Sequence, residues 1–393
     1  MSGDSAPGSG AFTSARREVA SGIDRVRDLW AGAPWWVRWL VYLLLIVGVL
    51  LLPSPTIGSF MTPKSDWATV LFAPIGTYVL LAIGLNVVVG QAGLLDLGYV
   101  AFFAIGGYSM AVIGTKLHWS FWLILPAGIL VAAASGVLLG APTLRLRGDY
   151  LAIVTLGFGE IVRIVANNTD QIGGPNGIEG IPHPPSYDNV HIDGTRPLHY
   201  GVLDPRPYYY LLVAVCVLII IFARRLEHSR VGRSWAAIRE DEQAVEIMGV
   251  PTFRFKLLAF AIGASIGGAA GVLYAAKVIS ITPLDFPFLL SATILAAVVL
   301  GGSGNLVGVI VGAFVMAWLP EFLRGFSPSG RDLSEYRTFV FAGLLVFMMI
   351  WRPEGLLPSR RRRAEFAEGT GGLGSMGGEV AGPDRSAAEV ATQ

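Results

Sequence analysis

The residues of this chain that could do chemistry are few, and most lie inside or beside long apolar runs. Glu160 and Arg163 are spaced i, i+3 within one such run, so a helix places them on the same face. A charge at mid-membrane costs about 2.5–3.5 kcal/mol, which makes both residues functional candidates by default. The alternative is a local ion pair near the outer end of a short helix, with both side chains reaching toward the headgroups. Both interpretations stay open.

Three further polar residues lie near a glycine-rich turn between two apolar runs. Asn86 interrupts the run AIGLNVVVG, and because a buried amide usually hydrogen-bonds to a neighbouring helix, a structural role is favoured. Gln91 and Asp96 lie in VGQAGLLDLG, together with Gly90 and Gly93. This turn is either a gate or broken helix, or an ordinary polar hairpin on the cytoplasmic side. For Asp96 the hairpin is favoured.

Several classes of site are excluded by composition and motif. Of the 393 residues, 53% are hydrophobic and 15% are charged, against roughly 25% charged in soluble domains. The net charge of +1 gives no case for nucleic-acid binding. The single cysteine, Cys216, lies in an apolar run, so disulfides and cysteine-based zinc sites are excluded. Neither HExxH nor GxxxxGK[ST] occurs, and we expect the chain to hold no metal. The run Gly173–Gly177, which contains Asn176, is expected to be a rigid external turn.

The apolar runs predict an all-α, polytopic membrane protein with about ten transmembrane helices, some of them short or broken. A hydrocarbon core about 30 Å thick needs roughly 20 apolar residues per helix. The predicted spans are Pro34–Leu52, Trp67–Val89, Leu94–Ile113, Phe121–Leu139, Tyr150–Val165, Tyr208–Ala223, Phe255–Ala276, Phe288–Leu300, Leu306–Leu323 and Arg337–Ile350. Those over 150–165, 288–300 and 337–350 are shorter than a full crossing, which is typical of broken or re-entrant segments.

The basic residues set the orientation of these spans. A group of arginines precedes the first span, which places the N-terminus in the cytoplasm, and ten spans return the C-terminus to the same side. Arg145, Arg147 and residues 224–256 then lie inside, and the loop over 166–207 lies outside. The transmembrane domain is predicted over 34–357. Residues 1–33 and 358–393 are predicted to be disordered cytoplasmic tails.

The segment Arg224–Lys256, here called the island, is charge-rich and lies between two apolar runs. Ser234 can cap a helix, Gly249 offers a left-handed stop, and Pro251 prevents continuation, so a helix of roughly four turns is predicted over 234–249. It would place Trp235, Ile238, Val245 and Met248 on one side.

Two interpretations of the island helix stay open at this point. It could lie on the lipid headgroups, or it could dock a soluble partner. The three consecutive acids Glu240, Asp241 and Glu242 favour docking, because anionic lipid would repel them.

Glycines and a short repeat indicate how the helices pack. Two ladders repeat every four residues and allow close helix approach: Gly263, Gly267 and Gly271, and Gly304, Gly308 and Gly312. VVVGQAGLL (87–95) is similar to VVLGGSGNL (298–306), each following a span. In transporters, the pathway often lies at the interface of such repeats.

Five stretches in order resemble one family, the LivM type of branched-chain amino acid ABC transporter permease. They are GLNVVVGQAGLLDLGYVAFFAIGGY (84–108), LRLRGDYLAIVTLGFGEIVRI (144–164), GGPNGIEGIP (173–182), IREDEQAVEIMGV (238–250) and VLGGSGNLVGVIVGA (299–313). Within the island, QAVEIMG (243–249) is similar to the EAA…G coupling loop of ABC-importer permeases. The resemblance covers roughly residues 67–357.

The resemblance implies a machine of several subunits in the cytoplasmic (inner) membrane. A LivH-type second permease would complete the pathway, two cytoplasmic ATPase subunits (LivG/LivF type) would bind ATP and Mg, and an extracytoplasmic binding protein would deliver substrate. This chain would bind no cofactor itself and catalyse no reaction. The implied ATPase-coupling residues are Ser234, Trp235, Ile238, Arg239, Glu240, Asp241, Glu242, Ala244, Val245, Met248 and Gly249. The pathway or structural candidates are Asn86, Gln91, Asp96, Glu160, Arg163 and Asn176.

The expected activity is import of Leu, Ile or Val by alternating access, with force delivered through the 234–249 helix. Two alternatives remain. One is a urea or short-chain amide permease of the same superfamily. The other is an ion-coupled secondary transporter or channel, with the island lying on the membrane surface.

Overall fold

The structure, a computed structural model, describes residues 48–54, 66–144, 149–186, 200, 204–325, 343 and 355–357. The chain divides into two units, Met1–Ile57 and Gly58–Gln393. In the first, residues 48–51 are helical. In the second, the described residues are mostly helical and contain no strand, only one isolated antiparallel bridge between Ile178 and Ile281.

Apart from short 3₁₀ turns, the described part of the second unit forms ten helices. In chain order they are α1 Trp67–Gln91, α2 Val100–Lys116, α3 Phe121–Thr143, α4 Asp149–Asn168, α5 Arg206–Glu227, α6 Arg230–Glu240, α7 Glu242–Ile247, α8 Thr252–Val278, α9 Phe288–Gly301 and α10 Leu306–Gly325. Within the described residues, six stretches are long and apolar enough to cross a membrane: α1, α3, α4, α5, α8, and α9 together with the turn before it, Pro283–Gly301. Val100–Lys116 and Leu306–Phe322 are shorter apolar helices.

The prediction of an all-helical, multi-pass membrane protein is confirmed for the described residues. Eight of the ten predicted spans correspond to apolar helices there. Tyr150–Val165 was predicted to be too short to cross, which is wrong, because α4 has 20 residues. The span over 288–300 was also predicted to be too short to cross, which is wrong too, because α9 has 14 residues but forms with the turn before it a stretch, Pro283–Gly301, that is long enough.

Several predictions fall on residues that the structure does not describe. They are most of the span Pro34–Leu52 (34–47), nearly all of Arg337–Ile350, the tails 1–33 and 358–393, Arg145 and Arg147, and much of the loop 166–207. The total of ten spans and the location of the termini therefore stay predictions.

Helix α1 is irregular at two places, and the second of them bears on function. Near its start, Ala73 is extended (φ −138°, ψ 120°) before Pro74, which has no N–H to donate to the preceding turn. At its end, residues Asn86–Gln91 form wide turns of the π type. Such wide turns within helices occur frequently at functional sites.

Helix α8 lies at the centre of the bundle and packs against α1, α2 and α3. The first glycine ladder faces these neighbours. A Cβ atom on Gly263 would lie 2.5 Å from Cγ2 of Val88, and one on Gly267 would lie 3.1 Å from Cβ of Phe102. A Cβ on Gly271 would overlap the carbonyl oxygen of Phe103. The ladder is therefore a packing seam inside this chain.

The second predicted ladder is only partly a ladder. Gly304 has a φ of +86° and lies in the turn between α9 and α10, so it does not share a helix with Gly308 and Gly312. A Cβ on Gly312 would lie 2.7 Å from Cα of Gly301. Gly308 and Gly312 thus bring α10 close to the end of α9, and the three-residue ladder is wrong because its first member belongs to a turn.

The outer helices expose large apolar side chains. On α3, Leu130 is 68% exposed and Leu138 is 75% exposed, and on α4 and α5 Ile153 and Leu218 are 64% and 67% exposed. Exposed apolar surface on this scale suits lipid or another protein.

Candidate coupling site

The island folds as two short helices rather than one. Ser229, and not Ser234, caps α6: its Oγ accepts a hydrogen bond from the backbone N–H of Gly232 at 3.3 Å. Ser234 lies inside α6 and donates its hydroxyl to the carbonyl of Arg230 at 3.1 Å. The helix thus begins five residues earlier than predicted, because the side chain of Ser229 satisfies a free backbone N–H group of its first turn.

Asp241 breaks the predicted four-turn helix. Its backbone is extended (φ −152°, ψ 101°), and its Oδ1 accepts hydrogen bonds from the backbone N–H groups of Gln243 at 2.9 Å and Ala244 at 3.0 Å. An aspartate carboxylate competes for backbone donors in this way and starts a new helix, α7. The stop at Gly249 is confirmed, since its φ is +84°.

The apolar stripe of the island faces this chain, with one exception. Trp235 is fully buried and donates its Nε1–H to the carbonyl of Phe255 on α8 at 2.7 Å. Ile238 and Val245 are also buried, but Met248 is 81% exposed. The expectation that all four are contacts for a soluble partner is therefore wrong for Trp235, Ile238 and Val245, because α8 and the neighbouring segments already cover them.

An ion pair also fastens the island to the bundle. Nζ of Lys256, on the first turns of α8, lies 2.5 Å from Oε2 of Glu242 on α7. Together with the Trp235 hydrogen bond, it ties both island helices to the start of α8. The island surface that remains exposed carries charges of both signs, and its most exposed large apolar side chains are Ile247, at 87%, and Met248.

Arg239 extends from the last turn of α6 to the end of α1. Its Nη1 donates a hydrogen bond to the carbonyl of Gly90. Its aliphatic stem passes over Gly93, where a Cβ atom would lie 2.8 Å from Cγ of Arg239. Gly93 has a φ of +73°, so both its conformation and the contact favour glycine. In the sequence analysis Arg239 is one of the implied ATPase-coupling residues, and nothing in the sequence indicates its contact with α1.

The two similar turns, 87–95 and 298–306, meet beside Arg239. Oδ1 of Asn86 accepts a hydrogen bond from the backbone N–H of Gly304 at 2.8 Å. A Cβ on Gly90 would lie 2.6 Å from that same nitrogen. Asn86 is 1% exposed. The bond agrees with the structural role favoured for Asn86, although its partner lies in a turn rather than in a helix.

Replacing Asn86 with leucine should leave the N–H of Gly304 buried without an acceptor. We expect the free energy of unfolding to fall by about 1–3 kcal/mol, the usual cost of an unsatisfied buried donor. Thermal unfolding of the purified protein in detergent measures the loss. The matched control is Asn176→Leu, since Asn176 is exposed. Equal stability of the two variants would contradict the role given to Asn86.

Asp96 does not lie in an exposed polar hairpin, so the favoured hairpin interpretation is wrong. It is fully buried, and its Oδ1 accepts the backbone N–H of Gly98 at 2.9 Å. The segment from Ala92 runs into the bundle rather than along its surface. Its end is held there, because Oη of Tyr99 donates to the carbonyl of Gly263 at 2.8 Å. Among the described residues, Oε1 of Gln91 and Oδ2 of Asp96 have no hydrogen-bond partner.

Glu160 and Arg163 form the local ion pair that one interpretation predicted. Nε and Nη2 of Arg163 lie 2.9 and 2.7 Å from Oε2 of Glu160. The two side chains are 36% and 32% exposed, so the pair lies on an outer flank of α4. It is not brought together with the polar residues of the turns.

Asn176 is likewise separate from the turns. It ends a short 3₁₀ turn, Gly174–Asn176, after α4. The turn is followed by the bridge in which Ile178 and Ile281 exchange backbone hydrogen bonds at 2.9 and 3.0 Å. The rigid-turn interpretation agrees with the positive φ values of Gly173, Gly174 and Gly177.

Comparisons with known sequences indicate which protein family this site belongs to. A profile described as "Branched-chain amino acid transport system / permease component" matches residues 69–349. The chain belongs to this permease family. The match includes every helix from α1 to α10 apart from the first two residues of α1, and so includes the island and both turns.

Individual members of the permease family agree with the profile. The high-affinity branched-chain amino acid transport system permease protein LivM of Salmonella typhimurium is 45% identical over 305 residues, covering 74% of this chain and 70% of the relative. A probable LivM of Methanocaldococcus jannaschii is 26% identical over 317 residues, covering 70% of this chain and 84% of the relative. LivH of Salmonella typhimurium is 26% identical over 291 residues, covering 72% and 91%.

Membership in this permease family makes the chain a multi-pass membrane protein and a component of a transport system. Some residues of the site had no sequence signal strong enough to find them. Lys256 pairs with Glu242, and Oγ1 of Thr155 accepts the backbone N–H of Leu97 at 3.0 Å, so both matter through contacts distant in sequence. Ser229 acts locally, as a cap chosen over Ser234.

Proposed function

We propose that this chain is the permease subunit of an ABC importer that moves Leu, Ile and Val across the cytoplasmic (inner) membrane by alternating access. Separate ATPase subunits supply the energy by docking on the island, and they bind ATP and Mg, while this chain binds no cofactor. Family membership and the names of the LivM relatives support the substrate and the subunit role. One observation supports docking on the island: the island is polar and attached to the bundle, and its tip is apolar and exposed.

The docking tip consists of Ile247 and Met248 at the end of α7, bordered by acidic and polar residues. At 87% and 81% exposure, they are the most exposed large apolar side chains among the described residues. Near them along α7, Gln243 and Glu246 are polar and exposed. An apolar centre with a polar rim is the usual anatomy of a protein interface. A cytoplasmic ATPase with a complementary groove would cover this tip.

A second permease subunit of the LivH type is proposed to pack against α4. Glu160 lies 11 residues from the start of α4 and eight from its end, about 17 Å and 12 Å away, and Arg163 lies about 8 Å from that end. Charges at such depth face protein or water rather than lipid. The chain's similarity to LivH as well as to LivM supports a partner of the same fold. A binding protein would deliver substrate at the opposite, extracytoplasmic side, near the loop 166–207.

The test is uptake by the assembled system in proteoliposomes. The chain is reconstituted with and without the second permease and the ATPases, binding protein is supplied, and uptake of labelled leucine and labelled urea is measured with and without ATP. We expect leucine uptake that requires ATP and every subunit. Leucine uptake by the chain alone, driven by an ion gradient, would overturn the importer role. Urea uptake without leucine uptake by the full assembly would overturn the substrate.

A further inference from the structure

Two helices end at the same place in this structure, and one arginine lies between their ends. α1 ends at Gln91 and α9 ends at Gly301, and the turns that follow are joined through Asn86 and Gly304. The last carbonyl groups of a helix lack partners within it, and they carry the negative end of the helix dipole. At α9 these carbonyl groups already accept hydrogen bonds from the backbone N–H groups of Gly302, Leu356 and Leu357. What the two ends share is the negative end of a helix dipole, which favours a cation between them.

Arg239 is that cation. Its Nη1 donates to the carbonyl of Gly90 in the last turn of α1. The same nitrogen lies near the second turn, since a Cβ atom on Gly304 would be 3.3 Å from it. A charge-assisted hydrogen bond of this kind is about twice as strong as a neutral one.

Where Arg239 meets the two turns, the neighbouring residues are glycines. Gly93 and Gly304 have φ values of +73° and +86°, and Gly90 faces Gly304 too closely for a side chain. Each missing Cβ leaves room either for the arginine stem or for the approach of the two turns. The arginine thus lies in a close-fitting socket that both turns build.

The helix that carries Arg239 is fixed at other points. Trp235 on α6 hydrogen-bonds to Phe255, and Glu242 on α7 pairs with Lys256. A displacement applied to the docking tip therefore moves α6 and α7 together with the start of α8. Arg239 extends this attachment to the ends of α1 and α9.

We propose that Arg239 is a positioning residue that clamps the ends of α1 and α9 together and transmits the island's movement to both of them. The transmission rests on the proposed function, because it needs an ATPase on the docking tip. The clamp does not, since it concerns this chain alone. The two turns are the ones whose sequences repeat, so one residue would act on equivalent points of both repeats.

The clamp is tested on the purified chain. Nitroxide labels are placed on cysteines at Leu95 and Val307, both exposed, in a background where Cys216 is replaced by alanine. The distance distribution is then measured in Arg239→Gln, Arg239→Lys and Arg233→Gln. Arg233 is the matched control, since it is exposed on the same helix and donates to the carbonyl of His228. We expect a longer and broader distribution in Arg239→Gln, and a wild-type distribution in Arg233→Gln.

Transmission is tested in the full assembly by measuring leucine transported per ATP hydrolysed. We expect Arg239→Gln to lose at least about tenfold in leucine transported per ATP hydrolysed, as loss of a charged hydrogen bond implies. Arg239→Lys, which keeps the charge, should retain part of the transport. Arg233→Gln should match wild type.

Each outcome bears on a separate statement. An unchanged label distance in Arg239→Gln would overturn the clamp. A changed distance with unchanged transport per ATP would overturn the transmission. If the label distance changes in Arg239→Gln but the wild-type assembly shows no ATP-dependent uptake, the clamp is supported and the proposed function is overturned.

Discussion

Replacing Ile247 and Met248 with glutamate is expected to abolish ATP-dependent uptake. Both side chains are more than four-fifths exposed at the tip of α7, so the change leaves the fold of this chain intact. It places two charges at the centre of the proposed interface, beside the acidic Glu246. Central interface residues typically cost 2 kcal/mol or more each when truncated, so binding should weaken by about a thousandfold for the pair.

Co-purification of tagged chain with the ATPase subunits measures this loss directly. The matched control is Leu284→Glu, since Leu284 is 76% exposed but lies in the turn before α9, next to Pro283. That variant should retain the ATPases in full. If the double variant also retained them and still transported leucine, the docking tip would be wrongly placed.

Replacing Gly271 with valine is expected to prevent normal folding. Its Cα faces α2, where any side chain would overlap the carbonyl of Phe103 and lie within 2.6 Å of the backbone nitrogen of Gly107. Backbone atoms give way less easily than the end of a flexible side chain. Overpacking commonly costs about 1–3 kcal/mol and occasionally more, and this contact belongs to the central α2–α8 packing.

The yield of monodisperse protein in detergent and its thermal unfolding temperature measure the effect. Gly157→Val is the matched control on a membrane helix, because nothing lies within 4 Å of a Cβ atom there. Gly267→Ala should lie between the two, since its Cβ would meet side-chain atoms at 3.1 Å. A Gly271→Val protein as stable as Gly157→Val would mean that α2 and α8 do not pack as described.

Properties that depend on local composition were predictable from the sequence. Apolar runs between polar breaks located eight helices, and Gly249 before Pro251 correctly ended the island helices. The spacing of Glu160 and Arg163 correctly indicated an ion pair. In each case the interaction lies within a few residues along the chain, where helix geometry decides the outcome.

Properties that depend on contacts between residues distant in the sequence were not predictable from it. The stripe of Trp235, Ile238 and Val245 shows that the island has an apolar side, but nothing in the pattern shows that α8 covers it. Asp96 looks like a hairpin residue because its neighbours are glycine and leucine, and only the bonds from Tyr99 to α8 place it inside. Gly304 fits a four-residue spacing by chance, since a turn separates it from Gly308.

The ion pair on α4 also has a consequence for how the subunits are made. A copy of this chain without a protein neighbour exposes the carboxylate of Glu160 and the guanidinium of Arg163 to acyl chains, about 12 Å and about 8 Å from the end of α4. If a second permease covers α4, as proposed, such a copy would be less stable in the bilayer than an assembled one and would be open to membrane proteases. Balanced synthesis of the two permeases would then matter as much as the affinity between them.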